Sequence, residues 1–182
     1  MLKETSWIET NTGSRVDPLH LYDSEICIEN IARPLSFLCR FAGQCSRFYS
    51  VAQHCIHVTD LVATELVQED NRTCLAALLH DSAEAYINDI SRPVKYAVKG
   101  LKEIEDIILG RIMNHFHLEG ADWTLIKKMD NVMLATEALY FMSSKGEGWY
   151  LPEKPKSMVI PKLSMEYVYD LFMERFYKFG GK

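Results

Sequence analysis

From Val51 to Leu66 apolar residues recur every three or four positions, at Val51, Cys55, Val58, Leu61, Val62 and Leu66, which marks a helix with one buried stripe. His54 lies on or beside that stripe. Asp70-Asn71 is a natural helix start, and Leu75, Leu78, Leu79 and Ala83 follow at similar spacing. A second helix is therefore predicted over 73–86, with His80 and Asp81 midway along it. Asn88-Asp89-Ile90-Ser91-Arg92-Pro93 breaks the rhythm, because Asn, Asp and Ser favour turns and proline restricts the residue before it. Beyond that loop, 95–116 reads as one long helix with Ile104, Ile107, Ile108, Ile112 and Phe116 inward, and 122–143 as another that carries Asp130. The stretch 145–162 contains Gly146, Gly148, Pro152, Pro155 and Pro161, a composition that predicts a surface loop able to shape or cover a pocket. A last helix, 164–179, presents Met165, Val168, Leu171, Phe172 and Phe176 on one side and stops at Gly180-Gly181.

The first fifty residues are less regular. Trp7-Ile8-Glu9-Thr10 alternates like a strand, Asn11-Thr12-Gly13-Ser14 reads as a turn, and Arg15-Val16-Asp17 returns antiparallel, which predicts a small hairpin. Between Ile26 and Phe41, apolar residues at Ile28, Ile31, Ala32, Leu35 and Leu38, with Pro34 near the beginning, suit one or two short helices. No internal repeat interrupts the pattern. The expected fold class is all-α, a helical bundle with a small irregular or hairpin N-terminal segment, in one domain over 1–182.

Composition sharpens this further. Hydrophobic residues make up 48% and charged residues 25%, which places the chain among globular rather than disordered proteins. Met1–Trp7 has no basic patch followed by an apolar run, and no run of about 18 apolar residues occurs, so export and membrane spanning are not expected. Cys27, Cys39, Cys45, Cys55 and Cys74 form an odd set without a C-x-x-C pair, which suggests reduced thiols in a cytoplasm. A net charge of −5 argues against a nucleic-acid polymer as partner, although a mononucleotide needs only a local cluster such as Arg92, Lys95, Lys99 and Lys102, or Arg40 and Arg47. Neither G-x-x-x-x-G-K-[ST] nor G-x-G-x-x-G is present to cradle phosphate.

The candidate chemistry lies at His80-Asp81. A buried imidazole beside a buried carboxylate costs roughly 2–7 kcal/mol for each uncompensated polar group, and a divalent cation supplies the compensation. His54 one helix upstream and Asp130 downstream complete a set of two imidazoles and two carboxylates suited to Mn, Fe, Co, Ni or Zn. Taken singly, His54 also reads as a core histidine and Asp130 as a helix-surface charge; the joint set is more specific than any member. Glu84, four residues from His80 and three from Asp81, shares their helix face and is placed to handle a proton. His57, His115 and His117 are assigned no chemistry.

The runs Arg40-Phe41, Phe48-Tyr49-Ser50-Val51-Ala52-Gln53-His54, Leu78-Leu79-His80-Asp81-Ser82-Ala83-Glu84-Ala85-Tyr86, Asp89 and Arg92-Pro93-Val94-Lys95 resemble the HD-domain phosphohydrolases. The likeness is greatest to their 5′-deoxyribonucleotidase branch and its bacteriophage dATP triphosphohydrolase relatives. That resemblance covers roughly 7–139 and implies that His54, His80, Asp81 and Asp130 bind a divalent transition metal (Zn, Co or Mn). It implies that Glu84 assists the attacking water or the leaving oxygen, that Asp89 positions the nucleotide or its sugar hydroxyl, and that Lys95 meets phosphate. Asp89 also reads as a loop residue capping backbone amides, and Lys95 as a solvated helix charge. Arg40 and Phe41 resemble a pair that contacts deoxyribose and stacks on the base, with Phe where some members carry Trp; Phe41 also reads as a core aromatic. Ala42-Gly43 stands where some adenine-selective members have a bulkier aliphatic residue, which leaves adenine selectivity open. The implied activity is hydrolysis of 2′-deoxynucleotides, favouring deoxyadenosine nucleotides. A 5′-deoxyribonucleotidase acting on monophosphates and a non-catalytic nucleotide-binding protein are the alternatives. The implied state is a homo-oligomer, dimer or hexamer, in the cytoplasm, the host's if phage-encoded.

Overall fold

The computed structural model describes residues 6–182; of the domain expected over 1–182, the first five residues lie outside the described ones. Strands β1 (Ile8–Glu9) and β2 (Arg15–Val16) pair antiparallel with Ile8 opposite Val16, so the expected hairpin forms. Val16 is fully buried, and the Arg15 guanidinium lies 4.3 Å from the centre of the Trp7 ring. Among the described residues this is the one sheet, and eight α-helices make up the rest of the frame. The all-α class holds.

Helix α1 (Glu29–Phe37) contains Pro34 well inside rather than near its beginning, and it stops three residues later with Leu38 N–H on the Pro34 carbonyl. Proline removes one helical donor, and of the one or two short helices expected here, one forms. Helix α2 (Val51–Glu65) starts where the Ser50 hydroxyl accepts from Gln53 N–H, and buries all but a few of its side chains. It is the central rod: α1, α3 (Asn71–Leu78), α7 (Trp123–Phe141) and α8 (Met165–Lys178) all pack against it. Each of α3, α7 and α8 begins at a side-chain cap, Asp70, Asp122 and Ser164, of which the sequence reading named the first.

Two long helices read from the sequence are broken. The one expected over 73–86 ends at Leu78, and a four-residue helix α4 (Glu84–Ile87) follows, so His80 and Asp81 lie in the turn between them and not midway along a helix. The turn is tight because Leu79, Ser82 and Glu84 N–H groups bond to carbonyls three residues back, and His80 Nδ1 takes the Ala77 carbonyl at 2.7 Å. The helix expected over 95–116 is α5 (Arg92–Ala97) and α6 (Leu101–His115), divided at Gly100, whose φ of +87° is left-handed and cannot continue a helix. Residues 142–164 run without regular structure, as expected. They are pinned to the body by Arg47 to the Ile160 carbonyl (2.6 Å), Gln53 to the Pro161 carbonyl (3.0 Å) and Lys156 N–H to Thr136 Oγ1 (2.9 Å). One apolar cluster joins Val16 to Phe179 through α1, α2, α3, α6, α7 and α8. No helix among the described residues is long and apolar enough to cross a membrane.

Candidate metal centre

Three elements deliver the polar side chains to one point. The first turn of α2 carries His54, fully buried because α2 is enclosed by its neighbours. The turn after α3 carries His80 and Asp81, and the first half of α7 carries Asp130. His54 Nε2 lies 3.3 Å from His80 Nε2, 3.3 Å from Asp130 Oδ1 and 3.7 Å from Asp81 Oδ2. His80 Nε2 is 3.4 Å from Asp81 Oδ2 and 3.9 Å from Asp130 Oδ1. His54, His80 and Asp81 form a group able to hold a metal ion, and Asp130 closes on both imidazoles from the opposite helix. Ligand atoms about 2.1 Å from one ion stand roughly 3.0–3.4 Å apart at right or tetrahedral angles; the 3.3, 3.3 and 3.4 Å spacings match that range, and those of 3.7 and 3.9 Å are wider.

A carbonyl only accepts, so His80 Nδ1 on the Ala77 oxygen must carry its proton. His54 Nδ1 lies 2.6 Å from Glu137 Oε1 and donates to that carboxylate. Both neutral rings therefore turn bare Nε2 lone pairs toward each other and toward two carboxylates. His54 Nε2, His80 Nε2 and Asp81 Oδ2 form one group able to hold a cation, and Asp130 Oδ1 flanks it at 3.3 Å from His54 Nε2. In the metal-free protein a proton takes the place: despite burial and the Arg40 guanidinium, Glu137 and Asp130 push the His54 imidazole up to about 9.

The carboxylates around the point stay ionised in spite of burial. Asp81 is lowered by His80, His54 and Arg40, Asp130 is held well below the usual range by His54 and His80, and Glu137 is lowered by Arg40 and His54. Glu84 behaves oppositely. Burial first, then the charges of Asp81 and Asp89, push it well above the usual range, and its Oε2 has no hydrogen-bond partner among the described residues. A protonated carboxyl with an idle oxygen beside an anionic centre is equipped to give up a proton.

The remaining expected site residues stand as follows. Arg40 is only 8% exposed, and its guanidinium donates to Glu137 Oε2 (3.1 Å) and Asp81 Oδ2 (3.3 Å), so it backs the centre instead of reaching outward. Asp89 Oδ2 accepts from Phe41 N–H at 2.9 Å, the amide-capping role, and thereby holds a turn in which Phe41, Ala42 and Gly43 all have positive φ. Phe41 is half-buried and its ring lies 6.1 Å from Trp149 of the irregular segment 142–164. Gly43 faces open space. Lys95 is half-buried, and its Nζ pairs with Glu105 of α6 at 2.5 Å. His57 stacks on Tyr49, away from the centre's ligand group.

Glu137 was not foreseen. It lies two helical turns beyond Asp130 on α7, inside the apolar run Ala135-Thr136-Glu137-Ala138-Leu139. A spacing of seven keeps a helix face, and a lone acid among apolar residues was the available signal. Trp149 gave no signal of its own, because loops carry no periodicity.

No protein-family model matches the chain. The uncharacterized protein YfdR of Escherichia coli is similar to it, 37% identical over 175 residues that span 94% of each chain. An uncharacterized protein of Rhodobacter capsulatus is 37% identical over 116 residues, 62% of this chain and 59% of that protein.

Proposed function

This chain belongs to the family of Escherichia coli YfdR, and from there we propose that it is a metal-dependent phosphohydrolase of the HD class acting on 2′-deoxynucleotides, deoxyadenosine nucleotides first. The observation that carries the reading is the group His54 Nε2, His80 Nε2 and Asp81 Oδ2, with Asp130 Oδ1 3.3 Å from His54 Nε2 and each imidazole fixed from behind. A divalent Zn, Co or Mn ion held there supplies a Lewis acid and lowers the pKa of water from 15.7 toward about 7.

The chain's own groups then divide the work. Water attacks the α-phosphorus in line and the bond to the sugar O5′ breaks, releasing deoxynucleoside and the phosphate chain. Glu84, held protonated, donates to the leaving O5′, and the proton released by the attacking water restores it. Arg40 keeps Asp81 and Glu137 in place, and Asp89 fixes the Phe41 turn. Phe41 and Trp149 offer two aromatic rings for a flat base. The open space at Gly43 sets no barrier to a larger purine.

One observation favours a second reading, a 5′-deoxyribonucleotidase limited to monophosphates. Lys95 is paired with Glu105, and Lys102 with Glu105 and Asp106, so these two cations are already engaged and not reserved for β- and γ-phosphates. Purified protein supplied with Mn, Co or Zn and incubated with each dNTP, dNMP and ribonucleotide counterpart tests both. Deoxyadenosine from dATP, lost in Asp81→Ala and Glu84→Gln, supports the first; release from dNMPs alone supports the second. Metal binding without turnover of any nucleotide marks a binding protein, and a protein that takes up no metal overturns the reading. In the same experiment, sedimentation tests whether it forms a homo-oligomer.

A further inference from the structure

Cys39 and Cys45 stand at the two ends of the turn that carries Arg40 and Phe41, and their sulfurs are 3.5 Å apart. Both are half-buried, whereas Cys55 and Cys74 are buried in the core. A disulfide needs sulfurs about 2.05 Å apart, so a closure of about 1.5 Å joins them. The surrounding backbone already brings the chain ends together. Cys39 bridges to Ser50, Arg40 N–H donates to the Tyr49 carbonyl at 2.9 Å, and Gly43 N–H donates to the Arg40 carbonyl at 3.1 Å. The Cys45 thiol donates to the Arg47 carbonyl at 3.0 Å, which keeps its sulfur turned inward. Burial and the adjacent Cys39 push the Cys45 thiol up to about 11, so Cys45 rests as thiol at neutral pH.

We propose that Cys39 and Cys45 are an oxidisable dithiol whose disulfide closes a ring around Arg40. One sulfur attacks hydrogen peroxide, the O–O bond breaks, and sulfenic acid and one water form. The second sulfur attacks the sulfenic sulfur, the S–S bond forms, and the hydroxyl leaves as a second water. Two thiols lose two electrons and two protons, and the peroxide takes up both. The ring contains the arginine that donates to Asp81 and Glu137. Drawing its ends together shifts that guanidinium and weakens the hold of the centre on metal, a consequence that rests on the metal reading above.

The test uses the full chain, reduced and metal-free, treated with hydrogen peroxide. Alkylation, intact mass and peptide mapping then report the thiols, and titration with cobalt reports the centre. The expected result is loss of two thiols and about 2 Da, a peptide cross-linked between Cys39 and Cys45, reversal by a dithiol reductant, and cobalt affinity lower by about tenfold. Peroxide-treated Cys45→Ser and Cys39→Ser keep the affinity of the reduced protein. Addition of oxygen to single cysteines, or pairing that involves Cys27, overturns the dithiol. A cross-linked protein with unchanged cobalt affinity overturns the regulatory half. Absence of cobalt binding by reduced protein overturns the metal reading and that half with it, while the mapped peptide decides the dithiol by itself.

Discussion

Glu137→Gln keeps the shape of the side chain and removes its charge. In the protein both carboxylate oxygens accept, from His54 Nδ1 at 2.6 Å and from Arg40 Nε at 3.1 Å. A glutamine amide offers one oxygen and one NH2, so whichever way it turns, one of those donors meets another donor. Glu137 is fully buried and Arg40 nearly so, which leaves the guanidinium with Asp81, at 3.3 Å, as its remaining contact of this kind. Removing one partner of a buried pair costs about 3–5 kcal/mol. At roughly 2–4 °C in Tm per kcal/mol for a chain of this length, the metal-free variant melts about 6–20 °C lower. The imidazole also loses the carboxylate that orients it, so cobalt affinity falls by about 10–100-fold. Circular dichroism melts of metal-free protein and calorimetric cobalt titration read the two effects. A variant that melts within about 2 °C of the parent and binds cobalt equally well would refute the idea that Glu137 and Arg40 hold the centre from behind.

Three further outcomes follow from the same geometry. Because burial raises the Glu84 pKa above its unfolded value, the folded protein carries a penalty that grows as pH rises above about 4.5; Glu84→Gln therefore melts higher at pH 8 while nucleotide turnover falls by about 10²–10⁴-fold, and a lower Tm with retained turnover counts against the assigned role. The His54 pKa of about 9 exceeds its unfolded value of about 6.5, so its stabilisation of metal-free protein is complete below that value and is lost as pH rises through 9. Cobalt binding at pH 7.5 should then displace that proton, seen as a binding enthalpy that changes with the ionisation enthalpy of the buffer; a buffer-independent enthalpy contradicts it. Asp70→Ala removes the cap that accepts from Thr73 N–H and Thr73 Oγ1, and costs about 0.5–2 kcal/mol in chemical denaturation with metal stoichiometry unchanged.

Helices α2, α7 and α8, the hairpin and the irregular 142–164 segment were legible because each depends on a local signal: a three-to-four apolar period, a capping residue, or a cluster of Gly and Pro. The two breaks were not. Leu78, Leu79 and Ala83 are buried on both sides of the turn at His80, so the apolar period runs on through a place where the helix stops. At Gly100 the same holds: on one continuous helix Lys95 lies far from Glu105, whereas the left-handed residue lets α5 pack against α6 and pairs the two. Of the candidate ligands, His54, His80, Asp81 and Asp130 could be chosen from residue type and order, but the contacts behind them could not. Arg40 and Glu137 are 97 residues apart and meet only through tertiary packing.

The break after α3 is also what lets adjacent residues serve one centre. On an uninterrupted helix His80 and Asp81 would diverge by about 100° and could approach a shared ion only from separate directions. In the turn, His80 gives its Nδ1 proton to the Ala77 carbonyl, and that same bond caps α3 and aims Nε2 at Asp81 Oδ2, 3.4 Å away. One side chain thus ends the helix and sets the ring. A hydrogen bond that satisfies a helix terminus has no reason to be labile, so the imidazole is fixed before any ion arrives. His54 is fixed in the same way by Glu137, in that case through a buried carboxylate. The centre is preorganised by contacts that belong to the folding of α2, α3 and α7, which is why stability and metal affinity are expected to move together in Glu137→Gln and apart in Asp70→Ala.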